Sequence, residues 1–161
     1  SHERTFILEV MGRDSGAIAL TAGLAGGAET ILIPELTQDI EEVCNRLNRG
    51  YRRGKLHSVI IVAEGAADSF EVGKEIQKRT GLDTKVTILG HLQRGGSPSA
   101  FDRNLASMMG AKAVDLLIEG SSNKVVGFIS GKIICSELVD FIKEKKALDL
   151  EMYNLAGILS I

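Results

Sequence analysis

The segment GHLQRGGSP, residues 90–98, carries side chains that could bind an anion. His91 and Arg94 are three residues apart, and a pair of glycines follows the arginine. A guanidinium can donate parallel hydrogen bonds to a phosphate, an imidazole can donate another, and glycine lets backbone N–H groups approach a ligand closely. The segment therefore indicates a phosphate site, although a Gly-Pro turn with a solvated arginine has the same composition.

Arg13 and Glu64 are the next candidates for a chemical role. Arg13 follows Gly12 and could contact a phosphoryl group in transit, or it could pair with the neighbouring Asp14. Glu64 follows the most hydrophobic run of the sequence. Its carboxylate could accept hydrogen bonds from sugar hydroxyls, or it could simply face water. From the residues alone, both interpretations of each side chain remain open.

Residues 51–57, YRRGKLH, form a basic cluster. Such clusters are usually solvated surface, and a site for a nucleotide or a phosphorylated effector is the alternative. The histidines and cysteines lack the spacing of a zinc site. The sequence also contains no Walker A, GxSxG or dinucleotide-binding glycine motif.

The elements that must position these residues alternate between strands and helices. Apolar runs predict strands at 5–10, 30–33, 58–63 and 85–89, with helical patterns between them. This alternation predicts an α/β fold in which helices flank a mostly parallel sheet. Ligands bind at the carboxyl ends of strands in such sheets, and polar residues follow each of these strands, at 11–13, 34–35, 64–65 and 90–98.

Further local signals complete the predicted elements. Asp39 and Asp68 resemble helix N-caps, and residues 101–118 predict a long helix. Ser130-Gly131 predicts the turn of a hairpin between strands at 125–129 and 132–135. Ser136 is expected to cap a short helix that runs to about Lys146, and the apolar segment 155–161 is expected to dock on the rest of the chain.

The bulk composition is that of a globular protein with no attraction for polyanions. Of 161 residues, 44% are hydrophobic and 25% charged, and the net charge of −2 argues against nucleic acid or an acidic membrane as partner. No apolar run approaches the length of about 18 residues that predicts a transmembrane helix. The separated Cys44 and Cys135 predict reduced thiols in a cytoplasmic protein.

Taken together, these segments resemble the 6-phosphofructokinase family. The matching strings occur in family order over nearly the whole chain: RTFILEVMGR at 4–13, GAE at 27–29, IPE at 33–35, VAEG at 62–65, GHLQRGGSP at 90–98 and DR at 102–103. The resemblance implies the C-terminal half of a bacterial-type, ATP-dependent enzyme of glycolysis with the phosphofructokinase fold. With Mg²⁺, that family transfers the γ-phosphoryl group of ATP to the 1-hydroxyl of fructose 6-phosphate, and full-length members are homotetramers.

The resemblance also implies roles for individual residues at the substrate site. It makes Arg13 the catalytic residue that stabilises the transferring phosphoryl group, and Glu64 the ligand of the fructose hydroxyls. Lys85 stands where the family usually has a second arginine that reaches across a subunit boundary, so bidentate geometry is lost there. The other implied substrate-binding residues are Met11 and Gly12 of the MGR string, His91 and Arg94 at the sugar 6-phosphate, and Arg4 reaching that phosphate from a neighbouring subunit.

An effector site for ADP or phosphoenolpyruvate is implied as well. By resemblance, residues 27–29 would contact the effector nucleotide, with Glu29 holding its Mg²⁺. Leu56 replaces a lysine that bacterial members often carry at this site. The implied effector residues are Gly27, Ala28, Glu29, Arg53, Lys55, Leu56 and His57.

The family's Gly-rich nucleotide loop and the segment that supplies its catalytic Asp have no counterpart in this sequence. The chain is therefore expected to begin near the middle of a longer enzyme and to be inactive alone. By the family's chain path, residues 1–93 and 142–161 would form the substrate domain, and residues 94–141 would belong to the nucleotide-binding domain. A stand-alone regulatory module that binds a sugar phosphate or nucleotide, and half of a pyrophosphate-dependent relative, are the alternatives.

Overall fold

In the computed structural model, the polar segments follow the strands of a parallel sheet. The structure describes residues 4–37, 39–143 and 147–160. The chain divides into two compact units, one within Ser1–Arg94 and Leu148–Ile161 and the other within Gly95–Ala147. The assignment of residues 1–93 and 142–161, and of 94–141, to particular ligand-binding domains stays a prediction.

The first unit contains four parallel strands in the order β2-β3-β1-β4. They are β1 (Arg4–Val10), β2 (Thr30–Leu32), β3 (His57–Ala63) and β4 (Asp83–Ile88). Val10 pairs with Ala63 at the end of β3, and Glu9 pairs with Ile88 at the end of β4. This register brings the carboxyl ends of the three neighbouring strands to one edge, so the residues that follow them lie side by side.

Helices cover both faces of this sheet, which explains why its inner strands read as continuous apolar runs. One face packs Ile7, Leu32, Ile60 and Ile76 with α2 (Ile40–Arg52) and α3 (Ser69–Thr80). The opposite face packs Val10, Leu20, Ile33 and Ala156 with α1 (Ala17–Ala25) and α6 (Leu150–Leu159). The prediction of a parallel sheet flanked by helices is therefore confirmed, and the C-terminal segment docks through α6 as expected.

The predicted N-caps form at both acidic positions. The Asp39 carboxylate accepts a hydrogen bond from Glu41 N, and Asp68 accepts from Phe70 N and Glu71 N. Glu42 pairs with Arg46 one helical turn along, rather than completing a capping box with Asp39. Each cap satisfies backbone donors that would otherwise lack partners at the start of a helix.

The second unit packs a long helix with a hairpin. Its elements are α4 (Ala100–Ile118), β5 (Lys124–Ile129), β6 (Lys132–Glu137) and α5 (Leu138–Lys143). Ser130 and Gly131 both have positive φ, at 50° and 81°, as the tight turn predicted at these residues requires. None of the residues described in this unit is buried.

Ser136 was expected to cap a helix, and that expectation is wrong. Ser136 lies in β6 and pairs with Val125 of β5. The ladder continues to Glu137, whose carboxylate forms an ion pair with Lys124 across the strands. The helix begins only at Leu138, and the predicted end at Lys146 lies outside the described residues.

Both cysteines are free, with Cys44 buried and Cys135 exposed. Burial raises the pKa of the Cys44 thiol. Among the described residues, no helix combines the length and the apolar character that crossing a membrane requires.

Candidate functional site

The candidate site lies at the carboxyl edge of the sheet, where three chain segments meet. Residues 11–16 follow β1, Glu64 follows β3, and a 3₁₀ turn, Gly90–Gln93, follows β4. We call residues 11–16 the MGR loop and the turn with Arg94 the HLQR turn. Both hold exposed side chains in positions that a ligand can reach.

Glu64 binds the backbone of the MGR loop. Its Oε1 accepts hydrogen bonds from Gly12 N at 3.1 Å and from Arg13 N at 2.8 Å. These two backbone donors, of which Arg13 N has the larger effect, hold the pKa of the Glu64 carboxyl below its ordinary value. Oε2 has no hydrogen-bond partner among the residues that the structure describes, so one carboxylate oxygen remains for a ligand.

The tight turn of the MGR loop requires glycine at two positions, because a side chain at either would clash with the backbone of the loop. Gly12 has φ of 153°, and a Cβ there would lie 2.2 Å from Ser15 O. Gly65 faces the same loop, and a Cβ there would lie 2.0 Å from Arg13 O. Arg13 itself has φ of 50°, which is uncommon for a residue with a side chain. The loop is therefore held in a conformation that it would not adopt without its neighbours.

Gln93 and Glu35 also hold this loop, and sequence reasoning assigned neither of them to the site. The Gln93 side-chain Oε1 accepts from Met11 N at 2.8 Å. The two oxygens of Glu35 accept from Gly16 N at 2.9 and 3.0 Å. The only sequence signal was their place among the polar residues that follow β4 and β2. Because their partners are backbone atoms, no residue pattern identifies the contacts.

The structure brings Arg13, Glu64 and Arg94 together at this edge. The positive charges of Arg13 and Arg94 both act on the Glu64 carboxyl and contribute to its lowered pKa. His91 lies on the same turn as Arg94, and its carbonyl accepts from Arg94 N at 3.0 Å. The side chains of these four residues are exposed. The edge therefore carries two arginines whose charges act on one carboxylate, with a histidine on the turn that ends at Arg94.

Arg4 and Lys85 lie elsewhere in the same chain. Both pair with Asp83, Arg4 Nε at 3.7 Å and Lys85 Nζ at 3.1 Å. Arg4 begins β1, and at about 3.3 Å per residue it stands about 20 Å from the loop that ends the strand. Within one chain, therefore, these cations do not contribute to the carboxyl-edge site.

Two of the predicted effector residues, Arg53 and Lys55, line a basic cleft near the amino end of β3. This cleft, of about 660 Å³, is lined by Arg46, Arg49, Gly50, Arg53, Gly54, Lys55, Gly157 and Ser160. Leu56 is half exposed, and the His57 ring lies 6.4 Å from the Phe6 ring. Gly27 ends the turn after α1 with φ of 68°, and Ala28 is buried. Arg53 and Lys55 thus line one cleft, to which Gly27, Ala28, Glu29, Leu56 and His57 contribute no lining.

Glu29 does not fit the Mg²⁺ role in this arrangement. Its side chain is 7% exposed, and its carboxylate pairs with Lys55 Nζ at 2.5 Å and accepts from Val59 N. Among the described residues, no group of three or more His, Cys, Asp or Glu could hold a metal ion. Mg²⁺ is usually held by one or two carboxylates together with phosphate and water oxygens, so the obstacle here is that Glu29 is already paired with Lys55 and buried.

The fold and this edge together define an α/β protein whose parallel sheet carries guanidinium and carboxylate groups at the carboxyl ends of its strands. The sequence profile described as Phosphofructokinase matches residues 1–117. The chain belongs to the phosphofructokinase family.

Its relatives align with this chain over its whole length. The chain is 53% identical over 161 residues to an ATP-dependent 6-phosphofructokinase of Halalkalibacterium halodurans and 55% identical to that of Bacillus pumilus. In both comparisons, all of this chain aligns with 50% of the relative. The chain thus spans about half the length of the curated relatives it matches.

Solved structures agree with this assignment. Phosphofructokinase from Saccharomyces cerevisiae matches with a TM-score of 0.83 at 34% identity, covering 98% of this chain and 22% of that one. The Pichia pastoris phosphofructokinase in the T-state matches at 0.82 with 35% identity, covering 99% and 19%. A pyrophosphate-dependent phosphofructokinase from Marinobacter aquaeolei matches at 0.80 with 26% identity, covering 94% and 43%.

Proposed function

We propose that this chain is the sugar-phosphate-binding part of an ATP-dependent 6-phosphofructokinase. The reaction would move the γ-phosphoryl group of ATP to the 1-hydroxyl of fructose 6-phosphate. The observation that carries the proposal is the convergence of Arg13, Glu64 and Arg94 at one strand edge, with His91 on the same turn. The identity to enzymes named ATP-dependent 6-phosphofructokinase supports the choice of substrate and donor.

Each of these side chains has a task that its chemistry suits. Arg94 and His91 bind the 6-phosphate, for which a guanidinium fork and an imidazole provide donors. Glu64 Oε2 accepts from a sugar hydroxyl while Oε1 keeps the MGR loop in place. Arg13 stabilises the charge on the phosphoryl group as it moves, which is the main demand that phosphoryl transfer makes on a protein.

ATP and Mg²⁺ would supply the phosphoryl group and neutralise part of its charge. The sequence contains no Gly-rich nucleotide loop and no counterpart of the segment that supplies the family's catalytic Asp. We therefore expect the isolated chain to have no kinase activity. Residues 94–141 are proposed to complete the nucleotide-binding domain, together with sequence that this chain does not contain.

In the cytoplasm, assembly and regulation of the enzyme would depend on residues outside the carboxyl-edge site. Arg4 and Lys85, remote from the site of their own chain, would serve the site of a neighbouring subunit in a homotetramer. Arg53 and Lys55 would bind the phosphates of an effector such as ADP or phosphoenolpyruvate in the basic cleft. The Glu29–Lys55 ion pair would have to open before Glu29 could approach a bound metal.

The donor could instead be pyrophosphate. The identity to the pyrophosphate-dependent enzyme from Marinobacter aquaeolei is 26%, against 53% to the ATP-dependent enzyme from Halalkalibacterium halodurans. We therefore propose ATP as the phosphoryl donor.

Isothermal titration of the purified chain with fructose 6-phosphate tests the substrate assignment. Arg94→Ala should weaken binding by at least about tenfold, because a charge-assisted hydrogen bond contributes about 1.5–3 kcal/mol. Arg79→Ala is the matched control, since Arg79 lies on α3 and pairs with Glu75. If Arg94→Ala and Arg79→Ala bind the sugar phosphate equally well, the assignment is wrong.

A further inference from the structure

We propose that Gln93 is a positioning residue that couples the two ligand-binding segments of the site. Its side-chain oxygen accepts from Met11 N at 2.8 Å, which joins the HLQR turn to the MGR loop. The inference rests on the proposed function, because it concerns how the same site is assembled.

The geometry gives this contact a particular importance. The MGR loop leaves β1 and the HLQR turn leaves β4, and these strands are neighbours in the sheet. Where these strands end, two hydrogen bonds join the chain that follows β4 to β1 and to the loop after it. Leu89 N donates to Glu9 O at 3.1 Å, and Met11 N donates to the Gln93 side chain. The second is the one that reaches past β1 into the loop that carries Arg13.

The loop needs such a support because its backbone is strained. Gly12 and Arg13 both have positive φ. A residue with a side chain keeps a φ of 50° only when the surrounding structure holds its backbone in that conformation. Glu64 fixes the amides of Gly12 and Arg13, and Glu35 fixes that of Gly16. Gln93 fixes the first amide of the loop, at Met11.

The consequence is that the backbones carrying the two arginines are held close to each other. Arg94 follows Gln93 directly, and Arg13 is two residues from Met11. When Gln93 holds Met11, the guanidinium that binds the 6-phosphate and the one that stabilises the moving phosphoryl group are placed relative to each other. Ligand affinity then depends on an amide side chain that need not contact the ligand, since preorganisation lowers the cost of binding.

The test compares three variants of the 161-residue chain. Gln93→Met keeps the length of the side chain and removes the acceptor, while Gln93→Glu keeps an acceptor oxygen. Gln77→Met is the matched control, since Gln77 is an exposed glutamine on α3. Amide hydrogen exchange at Met11, measured by NMR without ligand, reports the contact itself. Titration with fructose 6-phosphate reports its effect on the site.

We expect Gln93→Met to speed exchange at Met11 by about threefold to tenfold, and to weaken fructose 6-phosphate binding by a similar factor, as the loss of one hydrogen bond predicts. Gln93→Glu should restore slow exchange at Met11 but not the affinity, because its negative charge lies beside Arg94 and repels the phosphate, and Gln77→Met should change neither. Unchanged exchange at Met11 in Gln93→Met would overturn the proposal. So would faster exchange with unchanged affinity, or fast exchange at Met11 that persists in Gln93→Glu.

Failure of the proposed function gives a different result. If the unmodified chain does not bind fructose 6-phosphate, the assignment of the substrate fails and Gln93 has no site to position. The exchange rates at Met11 still show in that case whether Gln93 holds the loop.

Discussion

At the scale of single residues, the carboxylate of Glu64 links folding to pH. Backbone N–H groups of Arg13 and Gly12 lower its pKa in the folded chain below the ordinary value that a glutamate keeps in the unfolded chain. A group whose pKa is depressed by folding contributes stability above its unfolded pKa and loses it as pH falls through the folded pKa.

We therefore expect the advantage of the unmodified chain over Glu64→Gln in free energy of unfolding to be full near neutral pH. It should shrink as the solution is acidified below about pH 4. Urea unfolding at a series of pH values measures it. Glu119→Gln is the control, because the Glu119 side chain has no hydrogen bond among the described residues. A difference between unmodified and Glu64→Gln chains that does not change with pH would contradict this account.

Gly65 gives a second test at this scale, because its neighbour leaves no room for a side chain. A Cβ at Gly65 would lie 2.0 Å from Arg13 O, whereas one at Gly96 would have nothing within 4 Å. Gly65→Ala should therefore cost about 1–3 kcal/mol of stability, as overpacking typically does, while Gly96→Ala should have little effect. Equal stabilities of the two variants in urea unfolding would show that the MGR loop moves aside freely.

These residues also mark the limit of sequence reasoning at the site. Arg13, Glu64, His91 and Arg94 could be selected from their types and their places after apolar runs. The contacts of Gln93 and Glu35 could not, because their partners are backbone amides, at Met11 and Gly16, whose orientation is set by the fold of the loop. The pattern of side chains in a sequence does not predict which backbone atom a given side chain will bind.

At the scale of elements, the start of α3 depends on one carboxylate. Asp68 Oδ1 accepts from Phe70 N at 2.8 Å and from Glu71 N at 3.0 Å. Asp68→Ala should lower the free energy of unfolding by about 1 kcal/mol, and Asp68→Asn should retain most of it, because either side-chain oxygen can cap a helix. Asp115→Ala, inside α4, is the control. The prediction fails if Asp68→Ala and Asp68→Asn are equally stable.

Element by element, the sequence predicts the first unit better than the second. The strands of the sheet are apolar because both faces are covered, and Asp39 and Asp68 mark helix starts directly. The prediction of a helix N-cap at Ser136 was wrong. Serine is a good N-cap in isolation, but here Ser136 pairs within the β5–β6 ladder, which extends from Lys124 to Glu137. A cross-strand partner eleven residues away along the chain overrides a local preference.

At the scale of the whole molecule, the second unit exposes much apolar surface. Leu117 is 70% exposed and Ile118 is 78% exposed at the end of α4, and Val139 and Ile142 of α5 are 61% and 71% exposed. No residue described in this unit is buried, so the unit supplies little hydrophobic stabilisation of its own. Apolar patches of this kind mark surfaces that associate.

We therefore expect the isolated chain to bind a hydrophobic dye and to self-associate as its concentration rises, because burying these side chains is favourable. Replacing Leu117 and Ile118 together by lysine should reduce both effects, measured by dye fluorescence and sedimentation velocity. Ile158→Lys, which alters a 65% exposed isoleucine on α6 in the first unit, is the matched control. If Ile158→Lys abolishes association while the double lysine variant retains it, the associating surface lies on the first unit instead.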